Sequence, residues 1–114
     1  MLNQVTLVGR LTATPKTIET ESGQKRGLVS IAVTRSYKNI EGIYETDFIE
    51  CELWGEVATN AQEYCKQGDL VGIRGRIESK RAENGEEVIY TPYIVVERLT
   101  FLSSKPSRKE EEED

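Results

Sequence analysis

DFIECELW, residues 47–54, is the stretch that decides the fold of this chain. Its residues alternate between two sets, Ile49, Cys51 and Leu53 against Phe48, Glu50, Glu52 and Trp54. This is the period of a β-strand with one buried face. A register shifted by one residue would bury both glutamates without partners, which costs several kcal/mol. We therefore predict that the rings of Phe48 and Trp54 are presented to solvent or to a partner.

Similar alternation on both sides of this stretch predicts a small all-β domain. Strands are expected over residues 3–11, 28–34, 47–54, from 70 to a hairpin turn at 83–85, and 88–102, with a loop or long hairpin over 35–46. Between the third and fourth strands the period becomes helical over residues 56–66, with Tyr64 on the apolar face and Gly68 ending the helix.

This order predicts a five-stranded OB-fold barrel over residues 1–104, with one short helix between strands three and four. Other small β-barrels with an inserted helix share the order, so the pattern alone leaves that alternative open. Residues 105–114, which end in EEEED, can bury nothing and are predicted to form a short disordered acidic tail.

The composition argues against an enzyme. The chain has no histidine, the commonest general base, and its two cysteines, Cys51 and Cys65, cannot supply a four-ligand zinc site. No phosphate-binding GxxxxGK[ST] or GxGxxG motif occurs. We expect no catalysis, metal or cofactor, and two buried thiols. Signal-peptide features and an apolar stretch of ~20 residues are also missing, so a cytoplasmic, nucleoid-associated protein is expected.

The chain carries 20 acidic and 15 basic residues, a net charge of −5, so a surface for nucleic acid must be a local basic patch. Arg74, Arg76 and Lys80 line the outward face of the fourth strand. Cations at every second residue of a strand form a row that can follow a row of phosphates and release the counterions bound to the nucleic acid. An ordinary solvated face is the alternative for this stripe.

Exposed aromatic rings can stack on nucleic-acid bases without reading their sequence. Phe48 and Trp54 suit this role, and so does Tyr37, which lies between Arg35 and Lys38 in a polar segment. The alternatives are that the rings pack under a loop or in a subunit interface. Glu50 and Glu52, on the same face, would repel a phosphate path.

Three longer stretches carry a resemblance to a known family: NQVTLVGRLTATP at 3–15, VTRSYKN at 33–39 and TDFIECELWGEVATNAQEYCKQGDLVGIRGRIESK at 46–80. Together they resemble the bacterial single-stranded DNA-binding proteins, in order over residues 1–102. The resemblance implies an OB fold, usually assembled as a homotetramer, that binds single-stranded DNA with little sequence preference and no chemistry. It also implies a role in replication, recombination, repair or DNA uptake.

The resemblance also assigns residues. The family's stacking positions fall on Tyr37, Phe48 and Trp54, and a further position, usually aromatic, is Ala82 here. Its cationic positions fall on Arg10, Arg35, Lys38, Arg74, Arg76 and Lys80. Members of the main replicative type end in an acidic tip with a terminal Pro-Phe that recruits enzymes. This sequence ends EEEED, so docking of partners through such a tip is not expected. A shorter paralogue, such as one serving natural transformation, or a phage- or plasmid-borne version is implied, and a truncated longer protein would look the same.

The sequence leaves two further hypotheses open. The acidic composition and the missing hairpin aromatic are compatible with a protein-interaction module rather than a DNA-coating protein. A metal-assisted nuclease has only scattered acidic residues in its favour.

Overall fold

A computed structural model describes residues 1–105 and confirms the predicted all-β OB-fold barrel. Its elements are β1 (Val5–Leu11), β2 (Thr17–Glu19), β3 (Lys25–Lys38), β4 (Tyr44–Trp54), α1 (Gly55–Tyr64), β5 (Leu70–Asn84) and β6 (Glu87–Ser103). The five predicted strands are β1, β3, β4, β5 and β6, and the short β2 is an addition that pairs with the start of β3. The prediction of a disordered tail falls on residues 106–114, outside the described residues, and on Lys105, whose backbone N–H donates to the Asp69 carboxylate at 3.3 Å.

The barrel closes because β1 changes its partner along its length. The strand order is β1-β5-β6-β4-β3-β2, and the end of β1 also pairs with β3, at Arg10 and Leu11. Gly9 lies where this exchange occurs, and a Cβ atom there would stand 2.6 Å from the carbonyl oxygen of Ala32. A side chain at position 9 would therefore keep the two strands apart, which explains the glycine inside β1.

The core is formed by the inward sets of the long strands together with one side of the helix. Its buried members are Leu11, Val29, Ile31, Cys51, Leu53, Ala58, Ala61, Cys65, Val71, Ile73, Ile94 and Val96. Both cysteines are buried free thiols, as predicted, and burial raises the pKa of Cys51 to about 12. Within residues 1–105, no helix is long and apolar enough to cross a membrane.

The helix differs from the prediction in its end and its orientation. It stops at Tyr64, and Gly68 (φ +91°) lies instead in the turn that follows. Tyr64 is 67% exposed, so its placement on the apolar face was wrong. Ala58, Ala61 and Cys65 face the core at three- and four-residue spacing, which turns Tyr64 outward.

Two hairpins extend beyond the barrel. The segment 35–46, expected as a loop or long hairpin, is a hairpin in which β3 and β4 continue to a short turn. The second is the end of β5 and the start of β6, whose residues 79–92 are all exposed. Its turn includes Gly85 with φ +65°, at the predicted 83–85 turn.

Candidate nucleic-acid interface

The strand register places the aromatic side chains of β4 and the cationic side chains of β5 on one continuous surface. Trp54 of β4 pairs with Arg26 of β3, and Glu52 pairs with Val95 of β6. Val95 in turn pairs with Arg76 of β5. Directly paired residues project from the same side of a sheet. We call this side of β3, β4, β6 and β5 the outer face; it carries Arg26, Phe48, Glu50, Glu52, Trp54, Tyr93, Arg76, Glu78 and Lys80.

Phe48 is the most open ring of the outer face, at 69% exposed, which confirms that it is presented to solvent. Its partner on β3 is Ala32, and Ala32 also pairs with Arg10 of β1. Phe48 and Arg10 therefore project from the same side as Ala32, and both are exposed. Beside Phe48 an open cavity of about 440 Å³ is lined mainly by apolar side chains, including Tyr93 and Ile77. A flat ring next to an apolar cavity is suited to receive a nucleic-acid base.

Trp54 is half-buried, and its indole is held by two neighbours. Its Nε1–H donates a hydrogen bond to Oε1 of Glu52, and the guanidinium of Arg26 lies 5.6 Å from the ring centroid. Arg26 Nη2 also donates to Oε2 of Glu52 at 3.0 Å. The expectation that Glu52 stands open on this face was wrong: the residue is 6% exposed.

Several of the predicted cations are already paired with carboxylates. Arg35 donates to both oxygens of Asp47, at 3.0 and 2.9 Å, and also contacts Glu45 at 2.6 Å. These hydrogen bonds raise the pKa of Arg35 and lower the pKa of Asp47. Arg76 donates to Glu78 at 2.7 Å, which raises the pKa of Arg76. Each such pair offers a phosphate less net positive charge than a free guanidinium would.

The other predicted cations form no ion pair within residues 1–105. Arg10 donates to the carbonyl of Gly68 at 2.9 Å, which leaves its charge uncompensated. The Nζ atom of Lys80 lies 4.7 Å from the centroid of the Tyr93 ring, and that of Lys38 lies 5.6 Å from the Tyr44 ring. Lysines over ring faces keep their charge available to a phosphate.

The predicted residues are not all gathered in one place. Tyr37, 63% exposed, and Lys38 stand at the end of β3, in the hairpin that extends from the barrel. Arg74 lies on the other side of an irregularity in the β5–β6 pairing and lines a separate cavity with Arg98. The roles of all the predicted site residues in binding remain predictions.

Sequence reasoning missed Arg26 and Tyr93 on the outer face, and it missed that Glu52 is buried there by its contacts with Arg26 and Trp54. Tyr93 is half-buried, and its hydroxyl donates to Glu78 at 3.2 Å. Burial raises the pKa of Tyr93, so the ring carries no charge at neutral pH. Its pairing with Glu78 across the sheet could have been inferred only from the β5–β6 register.

No three His, Cys, Asp or Glu side chains come together in residues 1–105 as a group that could hold a metal ion. What the described structure does contain is a closed barrel with a helix between β4 and β5, and with rings and cations along one sheet face. The class defined by these features is the OB-fold protein.

Comparison with known proteins makes the assignment more specific. The chain matches the model of the single-strand binding protein family over residues 2–102 and belongs to that family. It is 42% identical over 110 residues to single-stranded DNA-binding protein B of Bacillus subtilis, covering 96% of this chain and 97% of that protein. It is 38% identical over 109 residues to single-stranded DNA-binding protein 1 of Lactococcus lactis, covering 95% and 73%. The resemblance seen in the sequence is thereby confirmed.

Proposed function

We propose that this chain binds single-stranded DNA without sequence preference, stacks bases on Phe48, Trp54 and Tyr37, and performs no chemistry. The observation that carries the proposal is the exposed Phe48 ring on the same sheet face as Trp54 and Lys80. Membership of the family supports it, because the relatives are named for binding single-stranded DNA. Replication, recombination, repair or DNA uptake are the processes in which such binding is useful.

The spacing of the rings suggests how a strand would lie. Phe48 and Trp54 are six residues apart on β4, which corresponds to about 20 Å along the strand. Stacked bases follow one another at about 3.4 Å, so the two rings engage different nucleotides. The DNA would follow β4 with its phosphates towards Arg10 at one side and Lys80 at the other. In a duplex the faces of the bases are stacked on one another and cannot stack on a protein ring. This surface should therefore bind a single strand in preference to a duplex.

Assembly as a homotetramer belongs to the same proposal. Several apolar side chains stay exposed outside the outer face, including Val8 and Phe101. A small barrel can bury only a limited fraction of its apolar surface by itself. Self-association that covers these side chains would bury more of that surface.

The test uses Trp54, the one tryptophan of the chain, as its own reporter. Its fluorescence is followed during titration with a poly-thymidine oligonucleotide at low and at high salt, with a duplex of the same length as control. We expect strong quenching by the single strand, weak quenching by the duplex, and a dissociation constant that rises with salt. Absence of quenching and of salt dependence would count against single-strand binding by this surface.

A further inference from the structure

We propose that Glu52 and Arg26 are positioning residues for Trp54: they hold the edge of the indole and occupy one of its faces, so that a base stacks on the other. This inference rests on the function proposed above. Trp54 takes part in it as the stacking ring, whereas Glu52 and Arg26 act through that ring.

The covered face of the indole follows from the strand register. Arg26 and Trp54 are direct partners across β3 and β4, and the guanidinium lies 5.6 Å from the ring centroid. This distance is within the range of an attractive cation–π contact. A base approaching from the side of Arg26 would have to displace the guanidinium, so we expect a base to stack on the other face.

The edge of the indole is fixed by Glu52. Both of its carboxylate oxygens are used, one by the indole N–H and the other by Arg26 at 3.0 Å. A buried ion pair is weak evidence for stability, because removing two charges from water costs much of what their attraction returns. The best-attested use of such a pair is to select one arrangement among several. Here the arrangement selected is the orientation of the Trp54 ring.

Glu50 provides an internal comparison. It precedes Glu52 by two residues on the same side of the same strand and carries the same charge. It is exposed and forms no ion pair or side-chain hydrogen bond within the part of the chain that the structure describes. Near a phosphate path, removing either carboxylate reduces repulsion and should strengthen binding. If Glu52 positions Trp54, its removal should have the opposite effect.

The expected size follows from the freedom of the ring. Immobilising one flexible side chain on binding weakens an association by about two- to tenfold. An indole already held by Glu52 avoids this loss. Glu52→Met should therefore weaken binding of a fluorescein-labelled poly-thymidine oligonucleotide by about two- to tenfold, whereas Glu50→Met should leave the affinity unchanged or increase it.

Three further variants separate positioning from general damage. Glu52→Gln keeps an acceptor for the indole N–H and should recover most of the affinity. Arg26→Met combined with Glu52→Met leaves no buried charge, and such replacements tend to preserve stability. This double variant should bind at least as weakly as Glu52→Met, because it also lacks the charge of Arg26. In a Trp54→Ala background, Glu52→Met should have no further effect. Thermal melting of each variant checks that it is folded.

A measurement without DNA completes the test. The decay of Trp54 fluorescence anisotropy should show a fast motion of the indole in Glu52→Met that is small in the wild type and in Glu50→Met. Tighter binding by Glu52→Met, or identical changes in Glu52→Met and Glu50→Met, would overturn the positioning role and make Glu52 a simple counterion of Arg26. If the wild type bound no oligonucleotide, the proposed function would fail, while the anisotropy decay would still decide whether the indole is held.

Discussion

Phe48 on β4 and Tyr64 on α1 are exposed to almost the same extent, 69% and 67%, but only Phe48 lies on the outer face. Phe48→Ala should weaken binding of single-stranded DNA by ~1–3 kcal/mol, because each base stacked on a ring contributes about that much. Tyr64→Ala is the matched control and should leave the affinity unchanged. Fluorescence anisotropy of a labelled oligonucleotide measures both, and equal losses would contradict the assignment of Phe48.

Arg35 illustrates how a neighbouring carboxylate limits a cation. Asp47 accepts two hydrogen bonds from its guanidinium, so a phosphate must compete with Asp47 for Arg35. Asp47→Asn should strengthen binding and steepen the plot of log K against log salt by up to about 0.7, the contribution of one phosphate contact with a single strand. The full value is an upper bound because Glu45 still contacts Arg35 at 2.6 Å in this variant.

Glu41→Gln is the control for this change. Glu41 is an exposed carboxylate in the turn of the same hairpin, with no ion pair in residues 1–105. Like Asp47→Asn, the Glu41→Gln variant removes one negative charge, but it breaks no ion pair with an arginine. If both variants gave the same salt dependence, the pairing of Arg35 with Asp47 would have no bearing on binding.

At the scale of elements, alternation in the sequence was enough to orient β4. It placed Cys51 and Leu53 in the core and Phe48 in solvent, as observed. It could not show that Glu52 is buried, because its partner Arg26 comes from β3 and is brought there only by the register. The sequence pattern did not predict the pairing of Arg35 with Asp47 for the same reason. The two-residue alternation of a strand assigns each side chain to one face of the sheet. The neighbours of that side chain on the face depend on which strands pair.

The helix shows a related limit. On a helix successive residues are turned by about 100°, so one position decides whether a side chain faces in or out. Tyr64 stands directly before the buried Cys65, and its large apolar ring suggested burial. The two small residues Ala58 and Ala61 fill the contact with the barrel instead, and this depends on how closely the helix approaches the strands.

The β5–β6 hairpin offers a gain-of-function test. Ala82 is exposed on the same side of β5 as Lys80, at the position where the family resemblance places a stacking aromatic. Ala82→Trp should strengthen binding by ~1–3 kcal/mol if the DNA passes over this side of the hairpin. Ser79→Trp, on the opposite side of the same strand, is the control. A labelled oligonucleotide reports both, and no difference between them would exclude this side of the hairpin from the DNA path.

At the scale of the whole molecule, the net charge of −5 opposes the approach of DNA, so the proposed binding depends on local contacts on the outer face. Of the cations predicted to contact DNA, Arg35 and Arg76 are paired with carboxylates. We infer that these two arginines contribute less to phosphate binding than Arg10, Lys38, Arg74 and Lys80, which form no ion pair within residues 1–105. The salt dependence of binding should accordingly be shallower than six full phosphate contacts would give.

The five acidic residues 110–114 lie outside the described part of the chain, and they supply part of its negative charge. If their charge competes with DNA, deleting them should increase affinity at low salt. The gain should fall steeply with salt and nearly vanish at 1 M, where screening acts within about 3 Å. A variant with residues 110–114 changed to QQQQN keeps the length and removes the charge. It should reproduce the deletion, because only electrostatic repulsion is lost in both. A gain that persists at high salt, or a neutral variant that behaves like the wild type, would show that the acidic charge has no part in binding.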